Sequence, residues 1–164
     1  MLTGILVAAV LGGCSLGAAT SQRPPVDMTA DKLVGSWSTP TGEVLSFRSD
    51  GGLTATDLPP SEFEDFGILP PGFDPKKDKL PGEGTWEIER PPGASTGPAS
   101  RVYLHVRKLS GNPVASGTEM LAQKDGEDTV LASFIGDPDS DNRVVYRKCV
   151  PVCDQVSPSP PTAT

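Results

Sequence analysis

The octapeptide Arg101-Val-Tyr-Leu-His-Val-Arg-Lys108 decides the fold class, because aliphatic and polar residues alternate along it with a period of two. One face carries three aliphatic side chains: Val102, Leu104 and Val106. The other face carries two rings and a cation: Tyr103, His105 and Arg107. Successive side chains of a β-strand point to opposite faces, so this alternation predicts a strand with one buried face.

Seven other segments have the same strand character and are bounded by turn residues. They are residues 35–39, 43–48, 53–57, 84–89, 118–123, 129–135 and 143–148. Strands that follow one another in sequence usually pair, and closure into a barrel removes exposed strand edges. The sequence therefore predicts an all-β fold, a small antiparallel meander of about eight strands that closes into a barrel, with Trp37 and Trp86 as core anchors.

Composition excludes several classes of protein. Gly and Pro each occur 18 times in 164 residues, which is too frequent and too evenly spread for a helical bundle. No apolar run reaches the roughly 18 residues that span a bilayer, so a polytopic membrane protein is excluded. The formal charge of −7 argues against a nucleic-acid partner, which would require a face rich in Lys and Arg.

The N-terminus predicts a location for the protein. A short apolar stretch, residues 2–11, is followed by Gly12, Gly13 and Cys14, which resembles the lipobox of bacterial lipoproteins. The resemblance implies a signal peptide over residues 1–13 and a lipid on Cys14 that anchors the protein to the outer face of the bacterial cell membrane. Residues 14–31 then form the lipidated cysteine and a flexible tether. The alternative is a buried hydrophobic segment with an incidental cysteine; no Lys or Arg precedes Cys14, and we expect the true start upstream.

Lipidation of Cys14 leaves one pair of cysteines, Cys149 and Cys153. In an oxidising compartment such a pair is most simply a disulfide, which here would pin the end of the last strand. Free thiols and a metal site are the alternatives, although His105 is the only histidine and structural zinc needs four ligands. We expect no metal and no cofactor.

The predicted domain covers residues 32–153 and contains a Pro-rich insertion, residues 58–81, while residues 154–164 form a disordered tail. The insertion holds Phe63, Phe66 and Phe73, three of the five phenylalanines. Long loops in compact domains are often binding elements, so these residues, together with Tyr103 and His105, are the candidate contacts for a ligand or partner. The alternative is that the phenylalanines plug one end of the barrel.

Two other candidate sites lack some of the residues that their chemistry needs. The segment Asp137–Asp141 places carboxylates at alternate positions, but Asn142 and Lys148 stand where an EF-hand needs Gly and Glu. A looser calcium site and a simple hairpin turn remain the alternatives there. No nucleophile elbow surrounds His105, and no serine lies in such a context, so we expect a protein that is not an enzyme.

Three stretches, GSWSTPTGEVLSFRSDGGLTATDLP (35–59), GEGTWEIE (82–89) and FIGDPDSDNRVVYRK (134–148), resemble a group of actinobacterial cell-envelope lipoproteins of unknown function. The Gly35-Ser36-Trp37 opening also resembles the start of lipocalin-type barrels. These resemblances imply a lipocalin-like barrel on an envelope lipoprotein. We expect a monomeric binding module for a small apolar ligand or an envelope component. The alternative is an interaction or assembly module of the cell envelope that acts through the insertion.

Overall fold

The computed structural model describes residues 23–58, 74, 78–135, 142–150 and 153. Within these ranges there is one short helix, α1 (Ala30–Leu33), followed by eight strands. The strands are β1 (Gly35–Ser38), β2 (Val44–Phe47), β3 (Gly52–Leu58), β4 (Leu80–Glu89), β5 (Arg101–Leu109), β6 (Asn112–Asp125), β7 (Asp128–Phe134) and β8 (Arg143–Lys148).

Each strand pairs antiparallel with the next, and β1 pairs with β8, so the sheet is a closed eight-stranded barrel. The prediction of an all-β antiparallel meander that closes on itself is confirmed. Closure rests on a short ladder in which Trp37 lies opposite Lys148 and Ser38 lies opposite Arg147. The backbone N–H of Cys149 extends this seam by donating to the carbonyl oxygen of Ser36 at 2.9 Å.

The inner face of the barrel carries the apolar half of each alternating strand. Strand β5 is the clearest case, because Val102, Leu104 and Val106 are at most 2% exposed. The largest fully buried side chains on the strands come from all of them except β4: Trp37, Leu45, Leu53, Leu58, Leu104, Leu109, Met120, Leu131 and Tyr146. The predicted alternation is thus confirmed, and its outward half places Tyr103, His105 and Arg107 on the outer surface.

The two ends of the barrel differ in what the chain places there. We call one end the base; it holds α1, the β2–β3 turn, residues 90–100 and the β6–β7 turn. We call the other end the mouth; it holds the β1–β2 turn, the β3–β4 connection, the β5–β6 turn and the β7–β8 connection. Because strands alternate in direction, the chain enters at the base and the long β3–β4 connection leaves and returns at the mouth.

Trp37 and α1 close the base. The indole Nε1 of Trp37 donates to the carbonyl oxygen of Leu33 at 2.8 Å, and both residues are buried. Trp86 lies at the same end, half-buried, with its ring edge-on to Phe47 at 6.2 Å between centroids. Both tryptophans therefore anchor the core as predicted, although Trp86 lies nearer the surface.

The segment preceding α1 is docked on the barrel, which corrects the expectation of a flexible tether as far as residue 31. The N–H of Val26 donates to Ala122 and the N–H of Lys124 donates to Pro24, each at 2.9 Å, so this segment pairs with the end of β6. Met28 is 2% exposed and joins the core. The edge of β6 beyond β5 would otherwise leave backbone groups unpaired, and residues 24–26 satisfy them.

Two strands begin earlier than the sequence predicts. Strand β4 starts at Leu80 and β6 at Asn112, although Pro81 and Pro113 suggest loops. The turn between β5 and β6 consists of Ser110 and Gly111, both with positive φ (48° and 79°). Such two-residue turns match the twist of a hairpin and extend its pairing. The predicted insertion, residues 58–81, is correspondingly narrower: Leu58 and Leu80 are paired in the sheet, so the connection covers residues 59–79.

A glycine allows β4 and β5 to approach closely. A Cβ atom added at Gly84 would lie 2.0 Å from the carbonyl oxygen of His105 and 3.0 Å from Cα of Val106. Both neighbours are backbone atoms that cannot rotate away. Gly84 is therefore a steric requirement of this ladder.

We predict that Gly84→Ala lowers the free energy of unfolding by about 2–3 kcal/mol, the cost of forcing backbone apart in a packed structure. Gly117→Ala is the matched control, since its added Cβ meets its nearest atom, the Leu104 carbonyl oxygen, at 3.2 Å. Chemical denaturation of both variants measures the difference. Equal losses in the two variants would contradict the steric argument.

Candidate functional site

The predicted site residues divide between the described and the remaining parts of the chain. Cys14, the insertion phenylalanines (Phe63, Phe66 and Phe73) and the segment Asp137–Asp141 lie outside the described residues. Tyr103 and His105 lie together on the outer face of β5. The disulfide residues lie at the base, beside the seam that closes the barrel.

Cys149 and Cys153 form the predicted disulfide, with a Cα–Cα distance of 4.7 Å. The Cys149 N–H is bonded to β1 through the Ser36 carbonyl oxygen. The disulfide therefore ties the chain after β8 to the residue that holds the seam. Its short loop restrains the C-terminal end of β8 and removes little entropy from the unfolded chain.

The flanks of the β3–β4 connection are rigid. Leu58 is 1% exposed and pairs with Leu80, which also packs on the core. Gly82 lies beside this pair, and a Cβ atom there would come within 2.6 Å of Leu58 Cδ1. The connection thus leaves the barrel at a buried position, Leu58, and re-enters it at an adjacent, half-buried one, Leu80. Whatever residues 59–73 contact, their attachment to the mouth is fixed.

A buried carboxylate holds the same flank. Glu43, in the β1–β2 turn, is 5% exposed, and its carboxylate accepts hydrogen bonds from the hydroxyls of Thr39 and Thr41. Its Oε1 lies 2.5 Å from Nζ of Lys79, the residue directly before β4. This ion pair connects the β1–β2 turn to the end of the long connection. The alternate spacing Thr39-x-Thr41-x-Glu43 was the sequence signal for this cluster, whereas nothing local identified Lys79.

The stability that the Glu43 cluster provides depends on the negative charge of the Glu43 carboxylate. Burial by itself raises the pKa of Glu43, but the hydrogen bonds from Lys79, Thr39 and Thr41 outweigh it. Together they lower the pKa from 4.5 to about 2. A carboxylate that is buried and fully paired is stabilising only while both charges persist. The cluster therefore stabilises the contact between the β1–β2 turn and the end of the long connection at the mouth.

The outer face of β4, β5 and β6 carries a row of rings and charges. Tyr103 and His105 are stacked with ring centroids 6.2 Å apart. His105 Nε2 shares a hydrogen bond with Glu87 Oε1 at 2.7 Å. Arg101 donates two hydrogen bonds to the carboxylate of Glu119. Its guanidinium carbon lies 5.9 Å from the centroid of the Tyr103 ring. The negative charge of Glu119 and its hydrogen bond raise the pKa of Tyr103.

The position of Tyr103 and His105 decides where they can make contacts. Both side chains point away from the inner face formed by Val102, Leu104 and Val106. Any contact they make with a ligand or partner is therefore on the outer surface. Cross-strand pairs of this kind stabilise a sheet by a few tenths of a kcal/mol to about 1 kcal/mol each, so the row has a structural role as well.

An open depression of about 350 Å³ lies beside His105 and is lined by residues of β5 and β6. Its lining consists of short stretches of the two strands: His105, Val106, Arg107, Val114, Ala115, Ser116 and Gly117. Gly117 lies directly opposite His105 and has no side chain to fill the space. The depression is therefore a consequence of small residues facing larger ones across the ladder.

Within the described ranges, no three His, Cys, Asp or Glu side chains are grouped closely enough to hold a metal ion. Among the same residues, no helix has the length and apolar character to cross a membrane. No protein-family model matches the chain, and neither a curated protein nor a solved structure matches it. Function therefore has to be argued from the geometry of the molecule itself.

We predict that Glu43→Gln lowers the free energy of unfolding at neutral pH by about 3 kcal/mol. This is about the energy that corresponds to lowering the pKa of Glu43 from 4.5 to about 2. The stabilisation is fully present above the ordinary pKa of 4.5 and is lost as pH falls through about 2. The difference between wild type and variant should therefore shrink from pH 5 towards pH 2.

Denaturation at a series of pH values measures this difference. Glu127→Gln, which changes an exposed carboxylate in the β6–β7 turn, is the matched control and should show no such trend. A gap between wild type and Glu43→Gln that stays constant over the whole pH range would rule out the charged cluster.

Proposed function

We propose that this protein is a lipid-anchored lipoprotein of the bacterial cell envelope, and that its barrel is a non-catalytic interaction module. The β3–β4 connection, residues 59–79, presents the contact surface for a protein partner. Cys14 carries the lipid, and the mouth of the barrel carries the partner. The lipobox-like residues before Cys14 support the anchor, and the barrel geometry supports the interaction role.

The observation that carries the interaction role is the packing of the barrel interior. Trp37, Leu104 and Leu131 are each at most 1% exposed, and Phe47 and Leu53 are 2% exposed. A space of ligand size beside them would leave part of their surface accessible to water. An eight-stranded barrel is either filled by side chains or holds one small ligand, so the exposure of the inner side chains decides between the two. This packing disfavours an apolar ligand held inside the barrel, the first function that the sequence suggested.

The polarity of the barrel supports the position of the contact surface. The chain reaches the barrel at the base, where Arg23 forms an ion pair with Asp125 at 3.0 Å. The long connection lies at the opposite end, with Lys79 fastened to Glu43. With the lipid on Cys14, the base faces the membrane and the mouth faces away from it. A loop on a rigid scaffold, held clear of the bilayer, is well placed to meet another protein.

To test the interaction role, a photo-crosslinking amino acid is placed at Phe66 of the full chain in the bacterium of origin. Position 127, in the β6–β7 turn at the base, is the control. We predict one discrete protein adduct from position 66 and none of the same mass from position 127, because the connection and the turn lie at opposite ends.

Two outcomes would contradict the interaction role. One is identical adduct patterns from positions 66 and 127, which would indicate random encounter. The other is a bound non-protein mass in native mass spectrometry that persists through purification. That mass would restore a ligand-binding barrel and would require the inner side chains to repack around the ligand.

The anchor has its own test. We predict that Cys14→Ala yields a protein that carries no acyl mass and leaves the detergent phase, because the thiol that accepts the lipid is gone. Phase partitioning and mass spectrometry of the intact protein measure both effects, and Cys153→Ala, which removes a disulfide-bonded cysteine, is the control that should keep the lipid. An acylated mass in the Cys14→Ala protein would show that the lipid lies elsewhere or that the anchor was misread.

A further inference from the structure

Arg107 differs from every other arginine in the described part of the chain. Six arginines have a hydrogen bond or ion pair with a described residue: Arg23, Arg48, Arg90, Arg101, Arg143 and Arg147. Arg107 has none, and it is exposed. The chain has 21 acidic residues against 14 basic ones, so acidic partners are plentiful. An unpaired guanidinium on such a surface is available to a ligand.

The register of both neighbouring ladders shifts at Arg107. On the β4 side, Gly84 pairs with Val106 and Glu83 pairs with Lys108, so Arg107 is skipped. On the β6 side the register also shifts between Val106 and Lys108. The inward alternation changes phase here, since Val106 and Leu109 are both buried. β-Bulges re-aim a side chain and are over-represented next to functional sites.

The neighbouring acidic groups are already occupied, which leaves Arg107 beside the depression. Lys108 Nζ lies 3.3 Å from Glu83 Oε2, and His105 shares its hydrogen bond with Glu87. Both carboxylates belong to β4, whereas the depression is lined by residues of β5 and β6. Two of the β6 residues in its lining, Ala115 and Gly117, are small.

We propose that this depression binds a small ligand with a carboxylate group, and that Arg107 is the residue that holds the carboxylate. A guanidinium presents two parallel N–H donors that match the two oxygens of one carboxylate. The ligand body lies on Ala115 and Gly117, against the wall formed by His105. This site is separate from residues 59–79, and it stands whether or not that connection binds a protein.

A carboxylate fits the site better than a phosphate does. Arg107 supplies one positive charge, and the nearest other cation, Lys108, is paired with Glu83. Phosphate carries up to two negative charges and is usually bound by several cations or by backbone N–H groups at a helix N-terminus. One guanidinium balances one carboxylate.

The test uses the full-length protein, labelled with ¹⁵N, and the probe N-acetyl-alanyl-alanine with a free carboxylate. We expect concentration-dependent shifts of the Ala115 and Gly117 amides and of the Arg107 Nε–H signal, with a Kd of about 1 mM. The C-terminal amide of the same dipeptide should bind on the order of tenfold more weakly, because a charged hydrogen-bonded pair is lost.

Two variants test separately the charge of Arg107 and the free volume of the depression. Arg107→Gln should weaken binding of the acid by on the order of tenfold and leave binding of the amide unchanged. Ala115→Leu should prevent binding of both the acid and the amide, because the larger side chain would fill the depression. Arg90→Gln, at the base, is the control and should bind like wild type. All three positions are exposed, so we expect the substitutions to leave the fold intact. The amide spectrum of each variant checks this.

Three results would overturn the proposal. The first is equal affinity for the acid and the amide, and the second is wild-type affinity in Arg107→Gln. The third is tighter binding of inorganic phosphate than of the dipeptide at the same amides, which would make the site one for phosphate. Failure of this test would leave the crosslinking result at Phe66 unaffected, so the two proposals are judged separately.

Discussion

The closure of β1 on β8 is the constraint on which the rest of the structure depends, and Trp37 lies at its centre. Strand β1 has only four residues and pairs with β8 at just two positions, so backbone hydrogen bonding alone makes this the weakest ladder of the barrel. Trp37 compensates by packing inside, by bonding to Leu33 and by placing its ring 5.7 Å from Nζ of Lys148. Opening the seam would expose this core and create two bare strand edges, which explains why several restraints converge there.

Other features reinforce the same seam from the base. Leu33 of α1 is fully buried, and Lys148 Nζ also donates to the carbonyl oxygen of Lys32, so the helix is fastened to β8. The Cys149–Cys153 disulfide restrains the chain immediately after this point. The base is thereby closed by packing, hydrogen bonds and a covalent link. The long connection and the β7–β8 connection both emerge at the opposite end, the mouth.

Charge is distributed between two kinds of setting. At the mouth, Glu43 is buried and fully paired, so its carboxylate contributes to stability and is not available to a ligand. On the outer face, Arg101 and Glu119 satisfy each other, as do His105 and Glu87. Arg107 stands apart because a bulge takes it out of the pattern that pairs its neighbours.

The sequence by itself determined the fold class, because a period of two forces each strand to have an inner and an outer face, and the sequence placed Val102, Leu104 and Val106 inside. It also determined the Cys149–Cys153 pair, since few cysteines leave few partners. Only the tertiary structure decided that residues 24–28 dock on β6, that Lys79 meets Glu43 across 36 residues of sequence, and that Arg107 alone among the described arginines stays unpaired. Those facts depend on register, bulges and closure. Such features arise from contacts between distant strands, and no local pattern of residues encodes them.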